Sequence, residues 1–279
     1  PIRWNALAPL PRVGGVIPLP PFEHARVMRS RVWKVPYADG AGVSSTQSLT
    51  LTKETAPYLV DHVVNEQTII PGAFYAAAAL TDHGTVTNVE FQGMVPLWTT
   101  SSTETLTVES SEASWTLVSE DGPCFTCRPS PDHKCPESVR VEFDDGVRSL
   151  DTDTLYAVLE SISGLDFGPT FRSIRGLRAK GREAVGMVSA PPTSDGGKVH
   201  PTVLDGCLQV AVFTHGFDTD CLVPRSCGAM TIHSDFPNGS VEVHSRLVSE
   251  SDDEIVAQIT VYDLRGARLF DLEGMRFTR

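Results

Sequence analysis

The chain is short of basic residues, of cysteine and of long apolar runs, and each shortage removes a class of function. Lys and Arg number 23 against 35 Asp and Glu, a formal net charge of −12. A nucleic-acid binder displaces phosphate counterions with a basic footprint, and this balance supplies none. Six cysteines among 279 residues are too sparse for a disulfide scaffold, so a reducing, cytoplasmic setting is expected. The longest helix-like apolar run, Ala73 to Leu80, falls far short of the roughly 20 residues that cross a bilayer. No membrane association is expected. Residues Pro1 to Phe22 are broken by prolines and hold no continuous apolar stretch, so no signal peptide is expected either. With 41% hydrophobic and 21% charged residues, what remains is the composition of a folded domain or of two modest ones.

Pro1, Pro9, Pro11, Pro18, Pro20, Pro21 and Pro36 deny helix and sheet their backbone donors, and residues 1–35 read as a linker. From Ser45 the period is two. Leu49 and Leu51 alternate with Thr50 and Thr52, and Leu106 and Val108 with Thr105 and Thr107, as half-buried strands do. Pro71-Gly72 then opens the alanine-rich run to Leu80. Pro tolerates a helix start, alanine propagates it, and a helix apolar on every face must be buried all round. A strand is expected around Trp115 and Leu117, a loop from Asp121 to Ser138, and a new strand through Val139, Val141 and Phe143. Leu155, Val158, Leu159 and Ile162 sit at helical spacing, with an N-cap at Asp151 to Asp153 and a stop at Gly164.

The second half repeats this outline. Strands around Val185 and Val188 lead to His200-Pro201, then to an apolar helix from Val203 to Phe213. Strands at Val241–Leu247, Ile255–Tyr262 and Leu269–Phe277 follow. Each half is thus several strands and one buried helix introduced by proline. The expected class is α+β, two tandem units at 36–135 and 136–279, each a helix wrapped by antiparallel sheet.

Two polar residues fit this apolar pattern badly. Asp205 lies among Leu204, Cys207 and Leu208, where a carboxylate must be paired, neutralised or functional. Gln209, four residues on, shares its helical face and can bond it. His62 lies nine residues before Pro71. Alone it reads as a structural histidine; His24, His83, His215, His233 and His244 have no partner evident in the sequence and read as structural or exposed. Cys124, Cys127, His133 and Cys135 are four possible zinc ligands. The His-x-Cys pair is tight, however, and no second C-x2-C stands at zinc-ribbon spacing, so reduced loop cysteines and no metal are expected. Cys207 reads as core packing, because no base is at hand to activate it.

In combination these residues acquire a pattern. The run from His62 through Glu66 to Pro71-Gly72 resembles the HxxxGxxxxP motif of dehydratase domains in modular polyketide synthases and animal fatty acid synthases. Asp205-Gly-Cys-Leu-Gln209 resembles their DxxxQ/H motif, with His200-Pro201 as its lead-in. Phe167-Gly-Pro-Thr-Phe171 is similar to their YGPxF segment, and the stretch from Leu19 to Trp33 to the linker after an acyltransferase.

The resemblance implies a double hotdog fold and loss of water from a β-hydroxyacyl chain. That chain rides on the phosphopantetheine of an acyl carrier protein, with no further cofactor. It implies His62 as base, Asp205 as acid, and Gly72, Gln209, Pro71 and Phe167 as substrate-binding residues. It further implies a homodimer among neighbouring synthase domains.

Two departures stand out. Glu66 occupies the motif glycine, and Phe167 the motif tyrosine, which removes a hydrogen-bond donor. They motivate a second reading, in which the same His/Asp pair serves cyclisation or double-bond isomerisation. A third reading is a degenerate scaffold. Retention of both His62 and Asp205 argues against it, since a scaffold needs neither.

Overall fold

Strands that alternate threonine with leucine have one apolar face, and that face needs a second layer to cover it. Here two apolar helices supply the layer. The computed structural model describes residues 45–98, 103–135, 137–143, 146–163, 165–191, 197–216 and 222–279. The linker read at 1–35 and the helix stop read at Gly164 lie outside them.

The first half runs β1 (Ser45–Thr52), a 3₁₀ turn (Pro57–Asp61), β2 (His62–Val64), β3 (Gln67–Thr68), α1 (Gly72–His83), β4 (Thr85–Phe91), β5 (Thr103–Ser110), β6 (Trp115–Ser119) and β7 (Gly122–Pro129). Next come β8 (Arg148–Leu150), α2 (Thr152–Ser163), β9 (Leu165–Phe167), β10 (Ile174–Lys180) and β11 (Glu183–Ala190). The chain ends with α3 (Pro201–Val212), β12 (Val223–Ile232), β13 (Gly239–Glu250), β14 (Glu254–Tyr262) and β15 (Arg268–Thr278).

Twelve strands form one antiparallel sheet in the order β1-β5-β6-β7-β4-β12-β15-β14-β13-β11-β10-β8. Its first five strands come from the first half and curl around α1; the other seven curl around α3. The halves join edge to edge where β4 pairs with β12, Val86 opposite Met230, and α1 packs against α3 in the middle. This is the α+β double hotdog that the motifs imply. A small second sheet, β3-β2-β9, ties the halves together again.

The helix ends follow from local chemistry. Gly84 closes α1 at φ 71, a left-handed conformation suited to glycine, and its N–H donates to the Leu80 carbonyl at 2.8 Å. Asp151 caps α2, accepting the Thr154 N–H and hydroxyl at 2.9 Å each. The His200 ring accepts the Thr202 N–H at the start of α3. Among the described residues no helix is long and apolar enough to cross a membrane.

Two local expectations fail. Residues 122–129, read as loop, form β7, with Pro123 and Pro129 near its two ends and Cys124 and Cys127 buried. A register slip at Cys124 sets Cys124 beside Tyr75 and Cys127 beside Asp82, two turns apart on α1, so this C-x2-C pair does not converge on one ion. Val139, Val141 and Phe143 alternate as a strand would, yet the segment joins no sheet. It lies across the outer face of the second half, its N–H groups donating to side chains. Val139 donates to Thr260 Oγ1 and Val141 to His244 Nδ1, each at 3.0 Å.

Close packing of α3 on β11 depends on Gly186, where an added Cβ would lie 2.4 Å from Val210 Cγ2. Gly186→Ala is expected to destabilise the domain by about 1–3 kcal/mol through overpacking. Adding Val210→Ala should recover part of the loss. Urea titration of the single and double variants checks both.

Candidate active site

His62 enters the site on a tight hairpin. In β2 and β3, Val63 faces Thr68 and Val64 faces Gln67, leaving Asn65 and Glu66 as a two-residue turn with φ 48 and 65. Both turn positions demand left-handed backbone, as a type I′ turn does. Closure of the hairpin brings Ile69 back to His62. The Ile69 N–H donates to the His62 carbonyl at 3.1 Å, and His62 Nδ1 lies 3.0 Å from the Ile69 carbonyl oxygen. A carbonyl only accepts, so Nδ1 carries the proton, and in the neutral ring Nε2 keeps its lone pair.

The other wall of the imidazole comes from the second half of the chain. His62 pairs with Phe167 of β9, and the rings of Phe167 and Phe171 lie 5.7 and 5.2 Å from the imidazole. Asp61 pins this segment in place. Its carbonyl accepts the Gly168 N–H at 2.7 Å, and its Oδ2 accepts the Thr170 N–H and hydroxyl at 2.9 and 2.7 Å. A Cβ on Gly168 would sit 2.5 Å from Asp61 Cγ, so the Gly of Phe-Gly-Pro-Thr-Phe is required by close approach.

Asp205 stands on α3, 7% exposed. Gln209 Nε2 donates to Asp205 Oδ2 at 2.6 Å and to the Phe171 carbonyl at 3.3 Å. The Tyr156 hydroxyl, from α2, donates to Gln209 Oε1 at 2.9 Å and itself accepts the Ile174 N–H at 3.0 Å. That chain of bonds fixes the amide with its NH₂ toward Asp205. Gly206 permits the arrangement, since a Cβ there would meet Ser173 Oγ at 2.5 Å. Burial pushes the Asp205 carboxyl above the ordinary carboxylate range, against the opposing pull of the His62 imidazole and of the Gln209 hydrogen bond. Phe171 links the two walls, its ring lying against His62 and its carbonyl accepting from Gln209, which also bonds Asp205.

The structure therefore brings together His62, Asp205, Gln209 and Phe167. Pro71 and Gly72 stand at the start of α1, two and three residues beyond the Ile69 carbonyl. Gly72 carries one of the first-turn N–H groups that a helix leaves without an internal partner. A Cβ there would lie 2.8 Å from Phe91 Cδ1, so packing as well as chemistry calls for glycine. His200 lies against Tyr58, ring centroids 4.9 Å apart, and burial pushes its pKa down to about 4. Cys207 is wholly buried beside Asp205, and burial raises its pKa.

Sequence reasoning passed over three participants. Tyr156 stands next to Leu155 on the same amphipathic turn and could have been noticed as the one polar-tipped residue there. Phe171 carries no chemical signal beyond its motif. The Ile69 carbonyl, as backbone, carries none at all.

Two outcomes are expected of this geometry. Glu66→Gly removes a non-glycine residue from φ 65 and should stabilise the domain by about 0.5–1 kcal/mol. Tyr156→Phe leaves Gln209 Oε1 and the Ile174 N–H without their partner and should cost about 1–3 kcal/mol. Thermal denaturation of the two variants reads both signs.

Comparison with known proteins agrees with this fold. The family model described as the polyketide synthase dehydratase N-terminal domain matches residues 136–279. The non-reducing polyketide synthase mapC′ of Penicillium brevicompactum is 33% identical over 158 residues, 50% of this chain and 7% of that protein. The phenolphthiocerol synthesis polyketide synthase Pks15/1 of Mycobacterium bovis is 24% identical over 99% of this chain and 15% of its own length. The chain thus spans a small part of each relative.

Among solved structures, the dehydratase domain of a mycocerosic acid synthase-like polyketide synthase superposes with a TM-score of 0.73 at 20% identity, covering 85% of this chain and 90% of that one. The dehydratase domain from the CurJ module of curacin polyketide synthase gives 0.70 at 17%, covering 88% and 94%. At such identities the structures speak for the fold, and the family match speaks for descent: the chain belongs to the polyketide synthase dehydratase family.

Proposed function

We propose that the domain removes water from a β-hydroxyacyl thioester presented by an acyl carrier protein, giving the α,β-unsaturated thioester. The observation that carries the reading is the pairing of an imidazole whose Nε2 is left free with a buried carboxyl held toward its protonated form. His62 Nε2 takes the proton from Cα as the C–H bond breaks and the double bond forms. Asp205 gives its proton to the β-hydroxyl as the C–O bond breaks, and water leaves. The step creates an imidazolium and a carboxylate as neighbours, and their attraction lowers the barrier to that charge separation. A proton passing from one to the other restores the starting state. Gln209 orients the carboxyl, Phe167 walls the imidazole, and the Gly72 N–H beside Pro71 favours negative charge developing on the thioester oxygen. The carrier's phosphopantetheine is the tether, and no further cofactor enters this chemistry.

In this reading the two units span 36–135 and 136–279. Residues 1–35 join them to a preceding domain, and the whole works as a homodimer among neighbouring synthase domains. The second reading, isomerisation, has a specific motive beyond Glu66 and Phe167. The first dehydratase domain of GphF, a variant of which is described as isomerase-inactive, superposes on this chain with a TM-score of 0.68. The same residues would serve, one proton being moved along the chain without loss of water.

Mass spectrometry and proton NMR of a β-hydroxyacyl pantetheine thioester, and of its α,β-unsaturated counterpart, each incubated with the domain, decide between them. A product lighter by one water supports dehydration. An α,β-unsaturated substrate converted to a shifted alkene of equal mass, with no dehydration of the hydroxy substrate, replaces it. His62→Phe and Asp205→Asn should each slow water loss by about 10²- to 10⁴-fold with unchanged melting behaviour. Near-parental rates in either variant would refute the assignment. Because Asp205 must hold its proton, kcat/KM should fall as pH rises through its raised pKa, above the ordinary carboxylate range.

A further inference from the structure

A row of polar side chains crosses the outer face of the second-half sheet. Cross-strand partners point to the same face, and the register runs His244 beside Thr260, Thr260 beside Asp271, and Asp271 beside Thr231. All four are buried, Thr260 and Asp271 completely. They are buried because the segment between the two halves lies over them. Val141 and Val139 donate their N–H groups to His244 and Thr260, and the Tyr262 hydroxyl donates to the Val139 carbonyl at 3.1 Å. Farther along the same segment, toward the first half, Cys135 reaches the row at Asp271.

There the thiol meets His233, just past the end of β12. The Cys135 sulfur, a His233 ring nitrogen and an Asp271 carboxylate oxygen all lie within 4.8 Å of one another. Asp271 is oriented by two donors, Thr260 Oγ1 at 2.8 Å on Oδ1 and Arg268 Nε at 2.6 Å on Oδ2. His233 Nε2 lies 2.5 Å from Oδ2. The buried Thr231 hydroxyl lies beside the thiol. His133, which the sequence grouped with Cys135, is instead engaged by Glu273 at 2.9 Å.

We propose that Cys135, His233 and Asp271 bind a zinc ion that fastens the inter-unit segment to the sheet. Thiolate, imidazole and carboxylate are donors that together favour zinc over magnesium or calcium. Tetrahedral zinc keeps such donors about 3.3–3.7 Å apart, so the thiol closes in and His233 draws back from Asp271 by about 1 Å. Thiolate and carboxylate together neutralise the ion. Arg268 remains behind the carboxylate, and a water in the fourth position can accept from Thr231. The site shares no residue with the His62–Asp205 pair and stands or falls independently of the proposed reaction. The metal acts on the fold, as a third pin beside those at Val139 and Val141.

The test is cobalt and zinc titration of the chelator-stripped domain. Cobalt should give one equivalent of a thiolate-to-metal charge-transfer band, and zinc should displace it and raise the melting temperature. Cys135→Ser should lose the band, and His233→Gln should lose at least the ~10-fold in affinity that removal of a supporting hydrogen bond alone costs. His133→Gln should bind as the parent does. Melting of Cys135→Ser in chelator at the parental temperature confirms that the fold survives the change. Absence of the band in the parent, or its persistence in Cys135→Ser, would overturn the proposal and leave a metal-free His–Asp–Arg cluster.

Discussion

The hydrogen bond from His62 Nδ1 to the Ile69 carbonyl is the constraint on which the site depends. It decides which nitrogen carries the proton, and so which face of the ring can act as a base. The bond exists because a two-residue turn returns the chain upon itself, and the turn exists only with two left-handed residues at its tip. A local backbone conformation thereby sets the tautomer of the reacting group. Glu66 keeps that conformation at an energetic cost that glycine would avoid.

The second constraint is that neither half of the chain completes the site. The imidazole comes from the first half and its aromatic wall from β9 and the segment after it. The carboxyl comes from α3, and the hydroxyl that orients its amide partner from α2. Asp61 fastens the two halves within one residue of His62. Duplication of a sheet-wrapped helix produces two equivalent starts of buried helices. The chain uses the first for the approach of His62 and Gly72 and the second for Asp205.

Much of this was legible in residue pattern. Ala73–Leu80 and Val203–Phe213 announced buried helices because no face of either is polar, and the Leu/Thr alternation of β1 and β5 announced half-buried strands. Asp205 stood out because a carboxylate in such company needs a reason. The failures have physical causes too. Pro123 and Pro129 made β7 read as loop, although prolines near strand ends leave the central ladder intact. The valines at 139 and 141 alternate because the segment lies extended on a sheet, yet its hydrogen bonds go to the side chains of Thr260 and His244, which no periodicity reveals. Tyr156 was hidden within an apolar helical face, and the cluster at Cys135 was hidden by distance. Its partners lie 98 and 136 residues away, while the nearer Cys124 and Cys127 offered a more familiar spacing.

The most direct measurement is the tautomer of His62. Nitrogen-15 spectra of the imidazole-labelled domain, with His62 assigned by its loss in His62→Phe, distinguish a protonated from an unprotonated ring nitrogen. With the ring neutral, the expected spectrum has the proton on Nδ1 and an unprotonated Nε2, with the Nε2 resonance shifting when Asp205 is changed to Asn. A proton on Nε2 in the neutral ring would contradict the account, because the nitrogen that does not meet the Ile69 carbonyl could then no longer act as the base.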